Sequence, residues 1–256
     1  MSQSAKRAAK GLLLIPSAFA SVALFAPAQA ADYTGEAAFN AGYTTGNTET
    51  TDLGLAAKLQ RDGGRWRQSG EFTADFGETD GEETKNRLFV SGQLDREFSE
   101  RLFAYGRASH EIDEFSGFDS RSFFGLGAGY QAIKRDATSW SLEGGPGLKI
   151  DEIEEEVVNG VVVTPAETEE SVAVRAASNF SHAFNPNVTF SNDTSAIYAD
   201  VSTQVSNTTA LTSSLFGNLS ARVSFDVRYD TDPPAGTEST DTATRVSLVY
   251  PLGGGN

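Results

Sequence analysis

The sequence predicts an all-β fold: a single antiparallel up-and-down transmembrane β-barrel of about twelve strands, preceded by a cleaved signal peptide. Three observations predict this fold. Apolar and polar residues alternate along most of the chain, in segments of the length that a tilted membrane-spanning strand needs. Aromatic residues recur ten positions apart on the apolar phase. The connections between strands divide into a short set and a longer, acidic set.

The strand that shows the alternation best is residues 219–229, LSARVSFDVRY. Every odd position is apolar and every even position is polar or charged. Successive side chains of a strand point to opposite faces, so this strand has one apolar and one charged face. Because a barrel hides its hydrophobicity in alternate residues, the fold is compatible with the negative mean hydropathy of −0.31.

The N-terminus has the three parts of a signal peptide. Three basic residues lie among the first ten, an apolar stretch covers 11–25, and Ala28-Gln29-Ala30 is a cleavage site. The apolar stretch is short for a spanning helix and is broken by Pro16, which disfavours an uncleaved anchor. We therefore expect a signal peptide over 1–30 and an outer-membrane β-barrel over 31–256.

Composition excludes several classes of function. The chain has no cysteine, so a disulfide framework, a thiolate metal site and a cysteine nucleophile are all excluded. Its net charge of −15 provides no electrostatic footprint for nucleic acid. After the leader, no stretch approaches the eighteen or so consecutive apolar residues of a transmembrane helix.

The first strand, 33–45, sets the expected height of the barrel. Tyr33 and Tyr43 lie ten residues apart on one face, and Trp66 and Phe76 repeat this spacing in the third strand. Ten residues of about 3.3 Å each, tilted by about 40°, rise about 25 Å, which is the height of an outer-membrane apolar band with its aromatic girdles.

The remaining strands follow in chain order, separated by turns rich in Gly, Asn, Asp and Pro. A small hairpin with an Asn159-Gly160 turn is expected within the longest connection, 151–170. The predicted strands are 52–60, 65–76, 85–98, 102–113, 121–132, 140–150, 172–180, 188–198, 203–215, 219–229 and 242–250.

Three segments leave the phase or the pairing open. In 102–113, placing the charged residues in the lumen forces Phe103 and Tyr105 inward as well, unless a bulge intervenes. Pro146 indicates a bulge or the end of regular pairing. In 188–215 the simplest phase turns four polar residues toward lipid, namely Asn192, Thr194, Asn207 and Thr209. Three explanations are open: a register error, a bulge or a subunit contact.

Glycines occupy alternate positions of the segment 121–132. Gly125, Gly127 and Gly129 fall on its inward phase, where missing side chains leave room for bulky neighbours.

Three sequence segments resemble those of a known family. FAYGRASHEIDEFSGFDSRSFFGLGAGY at 103–130, LEGGPGLKIDE at 142–152 and TTGNTETTDLGL at 44–55 resemble the salt-induced outer-membrane protein family, a YdiY-like family of uncharacterised β-barrels. The block from Asp113 to Arg121 is the most specific. The resemblance implies an outer-membrane barrel and carries no catalytic residues, and the family's name suggests a role in ionic stress.

The longer connections are expected outside the cell. They contain twenty acidic residues and no lysine or arginine, and an even number of strands places both mature termini in the periplasm. A solvated, mutually repelling surface is the ordinary explanation of this acidity. The alternative is weak contact with divalent cations and lipopolysaccharide through the carboxylates of Asp151, Glu152, Glu154, Glu155 and Glu156.

Balanced charges on the polar phases predict an ion-pair network that fills a narrow lumen with low or no conductance. A wide selective channel would segregate one sign of charge. The alternative function is a small-solute or cation-selective pore. The expected network comprises Arg65, Arg67, Glu71, Asp75, Arg87, Asp95, Arg107, Glu111, Asp113, Arg121, Arg222, Asp226 and Arg228.

No motif for catalysis or cofactor binding is present in the sequence. Only His110 and His182 could act as an imidazole base, and neither lies in a nucleophile motif. We expect a non-enzymatic protein without cofactor or defined metal site, whose partners are outer-membrane lipid, lipopolysaccharide and, during biogenesis, the barrel-assembly machinery. A soluble ligand-binding barrel would turn its apolar face inward, which the aromatic spacing and the loop asymmetry disfavour.

Overall fold

The computed structural model describes residues 32–44, 50–158, 161–233 and 238–253. Twelve strands form a closed barrel, and two short strands form a separate two-stranded sheet. The described residues contain no helix that is long and apolar enough to cross a membrane. The predicted signal peptide lies outside the described residues.

The strand bounds extend most of the predicted segments by one to several residues. They are β1 Asp32–Thr44, β2 Thr50–Gly63, β3 Trp66–Thr79, β4 Glu82–Glu97, β5 Leu102–Asp113, β6 Phe118–Arg135, β7 Thr138–Ile153, β8 Glu156–Val158, β9 Val161–Thr164, β10 Glu167–Asn185, β11 Val188–Ala199, β12 Thr203–Phe216, β13 Leu219–Asp230 and β14 Thr240–Gly253.

Every barrel strand pairs antiparallel with its chain neighbour, and β10 follows β7 because the β8–β9 hairpin stands outside the barrel. The predicted twelve-stranded up-and-down barrel is therefore confirmed. The barrel closes where β14 pairs with β1, along six residue pairs from Thr34↔Gly253 to Phe39↔Leu248. The predicted last strand ends at Tyr250, but Pro251–Gly253 continue β14 and form half of this seam.

The two ends of the barrel differ in their connections. The short-turn end has the connections 64–65, 98–101, 136–137, 186–187 and 217–218. The long-loop end has 45–49, 80–81, 114–117, 154–166, 200–202 and 231–239. The difference in connection length between the two ends comes mainly from 154–166 and 231–239.

The predicted strands 65–76 and 85–98 leave 77–84 as a loop, and this prediction is wrong. The acidic segment Glu78–Glu83 is mostly strand, and β3 and β4 are joined by a two-residue turn at Asp80-Gly81. Both turn residues have positive φ, 51° and 83°, which is the geometry that hairpins of right-twisted strands favour and that Asp-Gly supplies at little cost. The acidic side chains therefore flank a tight hairpin.

The two faces of the barrel wall have opposite character. Large apolar side chains are exposed around the outside, with Val172 at 77% and Leu126 at 66%. Charged side chains on the opposite phase are buried, with Lys149 and Asp151 each at 2%. The apolar face is therefore outward, which excludes the arrangement of a soluble barrel that binds ligands in an apolar interior.

Inward aromatic rings pack over glycines of the next strand. Phe103 and Tyr105 of β5 are buried and pair directly with Gly129 and Gly127 of β6. A Cβ atom at Gly129 would collide with the Phe103 ring. The predicted inward phase of β5 and the predicted role of the β6 glycines are both confirmed.

Pairing is interrupted on one side of Pro146. Its strand, β7, keeps an unbroken ladder with β10, where Pro146 faces Val174. Toward β6 the pairs stop at Gly125↔Gly147 and resume at Ala128↔Gly144, with no change of register. The proline therefore ends regular pairing locally, because it has no N–H to donate to that ladder.

Candidate functional site: the ion-paired lumen

The long-loop half of the lumen is crossed by a continuous series of alternating charges. We call this series the cross-lumen relay and define it as Asp226, Arg245, Asp75, Arg87, Glu111, Arg228 and Asp113. It starts on β13, passes through β14, β3, β4 and β5, and returns to β13. Strands β5 and β13 lie six positions apart among the twelve, on opposite sides of the barrel.

The relay consists of close contacts between side chains that are mostly shielded from solvent. Arg87 lies 2.8 Å from Glu111 and 3.5 Å from Asp75, and Arg245 approaches Asp75 to 3.4 Å. Arg228 crosses the lumen to contact Glu111 and, at 3.4 Å, Asp113. Side-chain exposures range from 5% at Asp75 to 34% at Arg228. Salt can therefore reach part of the relay, and one full diameter of the lumen is bridged by protein.

A second bridge crosses the lumen close to the first. Arg121 of β6 contacts Asp230 of β13 at 2.7 Å and Asp151 of β7 at 3.9 Å. Asp151 is held in turn by Lys149 at 2.6 Å, and the Lys149 ammonium donates to the Ser202 hydroxyl at 2.5 Å. These groups occupy the side of the lumen that the relay leaves open.

The middle of the lumen has one loose set of ion pairs, at Lys58, and one firm pair, between Arg222 and Glu36. Lys58 lies 3.7 Å from Glu71 on the adjacent strand and 3.7 Å from Asp193, which reaches it from the far wall. Arg222 donates two hydrogen bonds of 2.7 Å to the two oxygens of Glu36. Bidentate geometry of this kind fixes both side chains more firmly than a single contact does.

A chamber of about 370 Å³ lies beside these middle pairs, toward the short-turn end. Its charged lining residues are Glu36, Lys58, Glu71 and Arg107, and uncharged residues of β1 to β4, both polar and apolar, complete the wall. The chamber has equal numbers of acidic and basic groups, so its wall favours neither cations nor anions by charge alone.

Eleven of the thirteen residues predicted for the lumen network form ion pairs in the structure. Arg107 faces the lumen but donates to Ser91 at 3.0 Å and Gln93 at 3.5 Å, and it has no ion pair among the described residues. Arg65 is exposed in the 64–65 turn, because β3 begins one residue later.

Sequence reasoning missed several members of the network. The inward phase of each strand could have identified them, since Arg245, for example, lies between outward Thr244 and Val246. Their partners across the lumen are set by the stagger of the barrel and have no signal in a single strand. The ion-paired residues outside the predicted set include Glu36, Lys58, Asp62, Glu97, Glu143, Lys149, Arg175, Asp193, Asp230 and Arg245.

The carboxylates considered for divalent cations are not gathered in one place. Asp151 is buried inside the lumen, whereas Glu152 accepts a hydrogen bond of 2.9 Å from Ser120 on the outside, and Glu154 and Glu155 are exposed. The side chain of Glu156 lies outside the described residues. Across the described part of the chain, no group of three or more acidic or histidine side chains could hold a metal ion. Weak cation contact stays a prediction, and calorimetry that detects no heat beyond dilution at millimolar calcium would refute it.

Both histidines lie on the outer face. His110 Nδ1 lies 2.9 Å from the hydroxyl of Ser122, and His182 Nδ1 lies 2.8 Å from that of Thr138. A hydroxyl beside an imidazole is the minimum of a nucleophile–base pair. In the described residues no carboxylate bonds to either ring, so a third group that would orient the base is missing from both pairs.

A closed antiparallel cylinder with an apolar outside and an ion-paired inside defines an outer-membrane β-barrel protein. The family model for "Protein of unknown function, DUF481" matches residues 37–251. The chain belongs to this family.

Comparison with a curated relative and with solved structures agrees with this class. The "Uncharacterized protein YdiY" of Escherichia coli (strain K12) is 23% identical over 220 residues, covering 85% of this chain and 83% of that protein. The translocator domain of the autotransporter NalP from Neisseria meningitidis superposes with a TM-score of 0.51 at 9% identity, covering 86% of this chain and 88% of that domain. The likeness to this domain shows the fold alone. The YdiY-like resemblance noted in the sequence is confirmed by the family match and by the Escherichia coli relative.

Proposed function

We propose that this protein is a non-enzymatic envelope protein that serves adaptation to ionic stress, with a narrow lumen that ion pairs keep shut at low ionic strength. The cross-lumen relay is the observation that carries the proposal. It bridges the full diameter of the barrel with Arg–carboxylate contacts, and a second bridge through Arg121 and Asp230 occupies the space beside it.

The proposal places the long-loop end outside the cell and both mature termini in the periplasm. Short turns at one end and longer loops at the other are the usual arrangement of outer-membrane barrels. The long-loop end is also the acidic end. Its two longest connections, 154–166 and 231–239, contain acidic residues and no lysine or arginine.

Ionic strength acts on the relay because the relay is partly solvated. The Debye length falls from about 10 Å at 0.1 M salt to about 3 Å at 1 M, so partly exposed ion pairs weaken as salt rises. Weaker pairs at Arg228 and Arg245, which are 34% and 25% exposed, would let ions pass more easily.

Conductance of the purified protein in planar bilayers tests this proposal. At about 0.1 M salt we expect few or no steps, and toward about 1 M we expect conductance to rise more steeply than that of the bulk solution. Arg228→Ala should raise the low-salt conductance several-fold, because it removes the residue that joins opposite walls.

The matched control is Arg96→Ala. This change removes the same charge from the outer face, where Arg96 lies over the Trp66 ring at 4.8 Å, and it should leave conductance at the wild-type level. Large, stable steps from the wild-type protein at low salt would refute the closed lumen.

The second candidate function is a small-solute or cation-selective pore. The chamber of about 370 Å³ favours the small-solute form of this pore, because a wall with both signs of charge suits a small zwitterionic solute. Uptake of such a solute by proteoliposomes at low salt would support the pore, and its absence together with low conductance would support the closed barrel.

A further inference from the structure

The outward face of β11 and β12 carries a patch of polar side chains at a place where lipid is expected. The residues are Asn192 and Thr194 of β11 and Asn207 and Thr209 of β12. The ladder between these strands runs without a shift from Val188↔Ser213 to Tyr198↔Thr203. Neither a bulge nor a change of register turns the four side chains outward, so of the three explanations that the sequence left open, a subunit contact remains.

The four side chains form a closed ring of hydrogen bonds, which we call the Asn–Thr ring. The Asn192 amide donates to Thr209 at 2.8 Å, and the Thr209 hydroxyl donates to the Asn207 carbonyl at 3.1 Å. The Asn207 amide donates to Thr194 at 2.7 Å, and the Thr194 hydroxyl donates back to the Asn192 carbonyl at 3.2 Å.

The ring lies within the apolar band of the barrel. Phe190 and Tyr198 share its face of β11 and lie on either side of it. Eight residues of a tilted strand rise about 20 Å, so these two aromatics mark most of the height of the apolar band. Lipid tails at this depth offer no hydrogen-bonding partner.

The ring satisfies only part of its own hydrogen-bonding capacity. A side-chain amide has two N–H donors and an oxygen with two lone pairs. Within the ring, each asparagine donates one hydrogen bond and accepts one. One N–H and one lone pair of each amide therefore point outside the ring, and leaving them against lipid costs free energy.

The chemistry of the patch identifies its cover as a second copy of this chain. The unused groups are donors and acceptors in equal number and carry no charge, so the patch is complementary to itself. A two-fold axis along the membrane normal would bring the donors of one copy to the acceptors of the other. A charged lipid headgroup is a poorer fit, because it stays at the membrane surface.

The surface next to the ring permits close approach. Toward Tyr198 the outward residues are small or of modest size, namely Ala176, Ala196 and Val205, which are aligned across β10, β11 and β12. Small residues let two membrane-embedded surfaces approach closely enough for side-chain hydrogen bonds to form between them.

We infer that the protein is a homodimer in the membrane, held through the outward face of β11 and β12 by hydrogen bonds between two Asn–Thr rings. This interface is independent of the lumen and of the function proposed for it.

Cysteine cross-linking tests the location of the interface, since the natural chain has no cysteine. In a two-fold dimer about the membrane normal, each residue faces its own copy at the same height. Val205→Cys leaves the ring intact and should give a disulfide-linked dimer on oxidation in membranes. Leu55→Cys is the control, because Leu55 is outward on β2, four strands from β12. We expect about fivefold or more cross-linked dimer from Val205→Cys, as disulfide geometry requires close Cα atoms. Equal yields from the two variants would overturn the proposed face.

A second experiment tests the ring itself. Asn192→Leu combined with Asn207→Leu replaces the amides with apolar side chains of similar size, which suit lipid. The dimer dissociation constant, measured by analytical ultracentrifugation in mild detergent, should rise by about tenfold or more through the lost interfacial hydrogen bonds. Heat-modifiable mobility on a gel should persist, which separates loss of the dimer from loss of the fold. A wild-type protein that is monomeric at every concentration, or a folded double variant that is as dimeric as the wild type, would refute the inference.

Discussion

Phe103 projects into the lumen from β5, and its ring lies over Gly129 of the neighbouring strand. Tyr105 and Gly127 repeat the arrangement two residues along. The rings fill the space that the glycines leave, next to charged residues of the lumen wall: Tyr105 pairs with Asp95, and its ring centre lies 5.5 Å from the Arg175 guanidinium. The wall is therefore as closely packed at this point as a protein core.

The change Gly129→Ala should destabilise the barrel. The added methyl group would collide with the Phe103 ring, which is buried and has little freedom to move. Overpacking of this kind costs about 1–3 kcal/mol, which should appear as a lower midpoint of urea unfolding in lipid vesicles.

Gly106→Ala is the control for this prediction. A methyl group at Gly106, on the outward phase of β5, meets no atom within 4 Å, so its midpoint should match that of the wild type. Equal midpoints for all three proteins would contradict the packing argument.

Single residues were predictable from the sequence where phase alone decided their position. Arg107, Glu111 and Asp113 share a phase that belongs in the lumen, and they force Phe103 and Tyr105 inward with them. The partners of these charges were not predictable, because contacts across the lumen depend on how far each strand is staggered from the next.

At the scale of elements, the β8–β9 hairpin is an addition to the barrel. Ile153 of β7 pairs directly with Glu167 of β10, so the ladder between β7 and β10 is complete without the residues of the hairpin. Pro165 and Ala166 are exposed and lie outside any strand. An insertion between these two residues lengthens a loop whose ends are already held together, at little cost.

An epitope inserted between Pro165 and Ala166 should be tolerated and should bind antibody on intact cells, if the long-loop end faces outward. The same epitope between Pro186 and Asn187, which are exposed at the short-turn end, should bind only after the outer membrane is permeabilised. Flow cytometry distinguishes the two positions, and the reverse pattern of labelling would contradict the proposed orientation.

Element boundaries were the least predictable part of the fold. The ladder of β2 runs from Thr50 to Gly63, whereas alternation identifies only 52–60. Beyond the apolar band both faces of a strand meet water, so alternation disappears while the backbone pairing continues. The Asp80-Gly81 turn was hidden for the same reason, because its flanking strand ends are acidic on both phases.

At the scale of the whole molecule, the seam is the shortest barrel ladder among the described residues. It has six residue pairs between β1 and β14, against thirteen between β1 and β2. Pro251, Leu252 and Gly253 supply half of the seam by pairing with Glu36, Gly35 and Thr34. Without the seam the barrel would leave two open edges, which a membrane does not tolerate.

Truncation after Tyr250 should therefore impair closure. The shortened chain keeps three seam pairs and should show little of the fast-migrating folded band on an unboiled gel. A chain that ends at Gly253 keeps all six pairs and should fold like the full-length protein. Normal folding of the chain that ends at Tyr250 would show that the last three residues of β14 are dispensable.

The overall architecture was predictable because strand number, strand direction and the outward face all follow from one repeating pattern. The wall-to-wall contacts were not, since they join segments that are distant in the sequence. Arg121 and Asp230 are 109 residues apart, and Arg228 and Asp113 are 115 residues apart.

That distance has a consequence for biogenesis. Arg222 and Glu36 are separated by 186 residues, and β13 and β1 come near each other only after the first and last strands have met. In a sheet that has curled but not yet joined its edges, Arg222 and Glu36 face water without each other, whereas pairs between neighbouring strands, such as Arg87 with Glu111, can already form. The ion pairs that cross the lumen or the seam therefore form last, and they stabilise the finished cylinder without stabilising the intermediates that precede it.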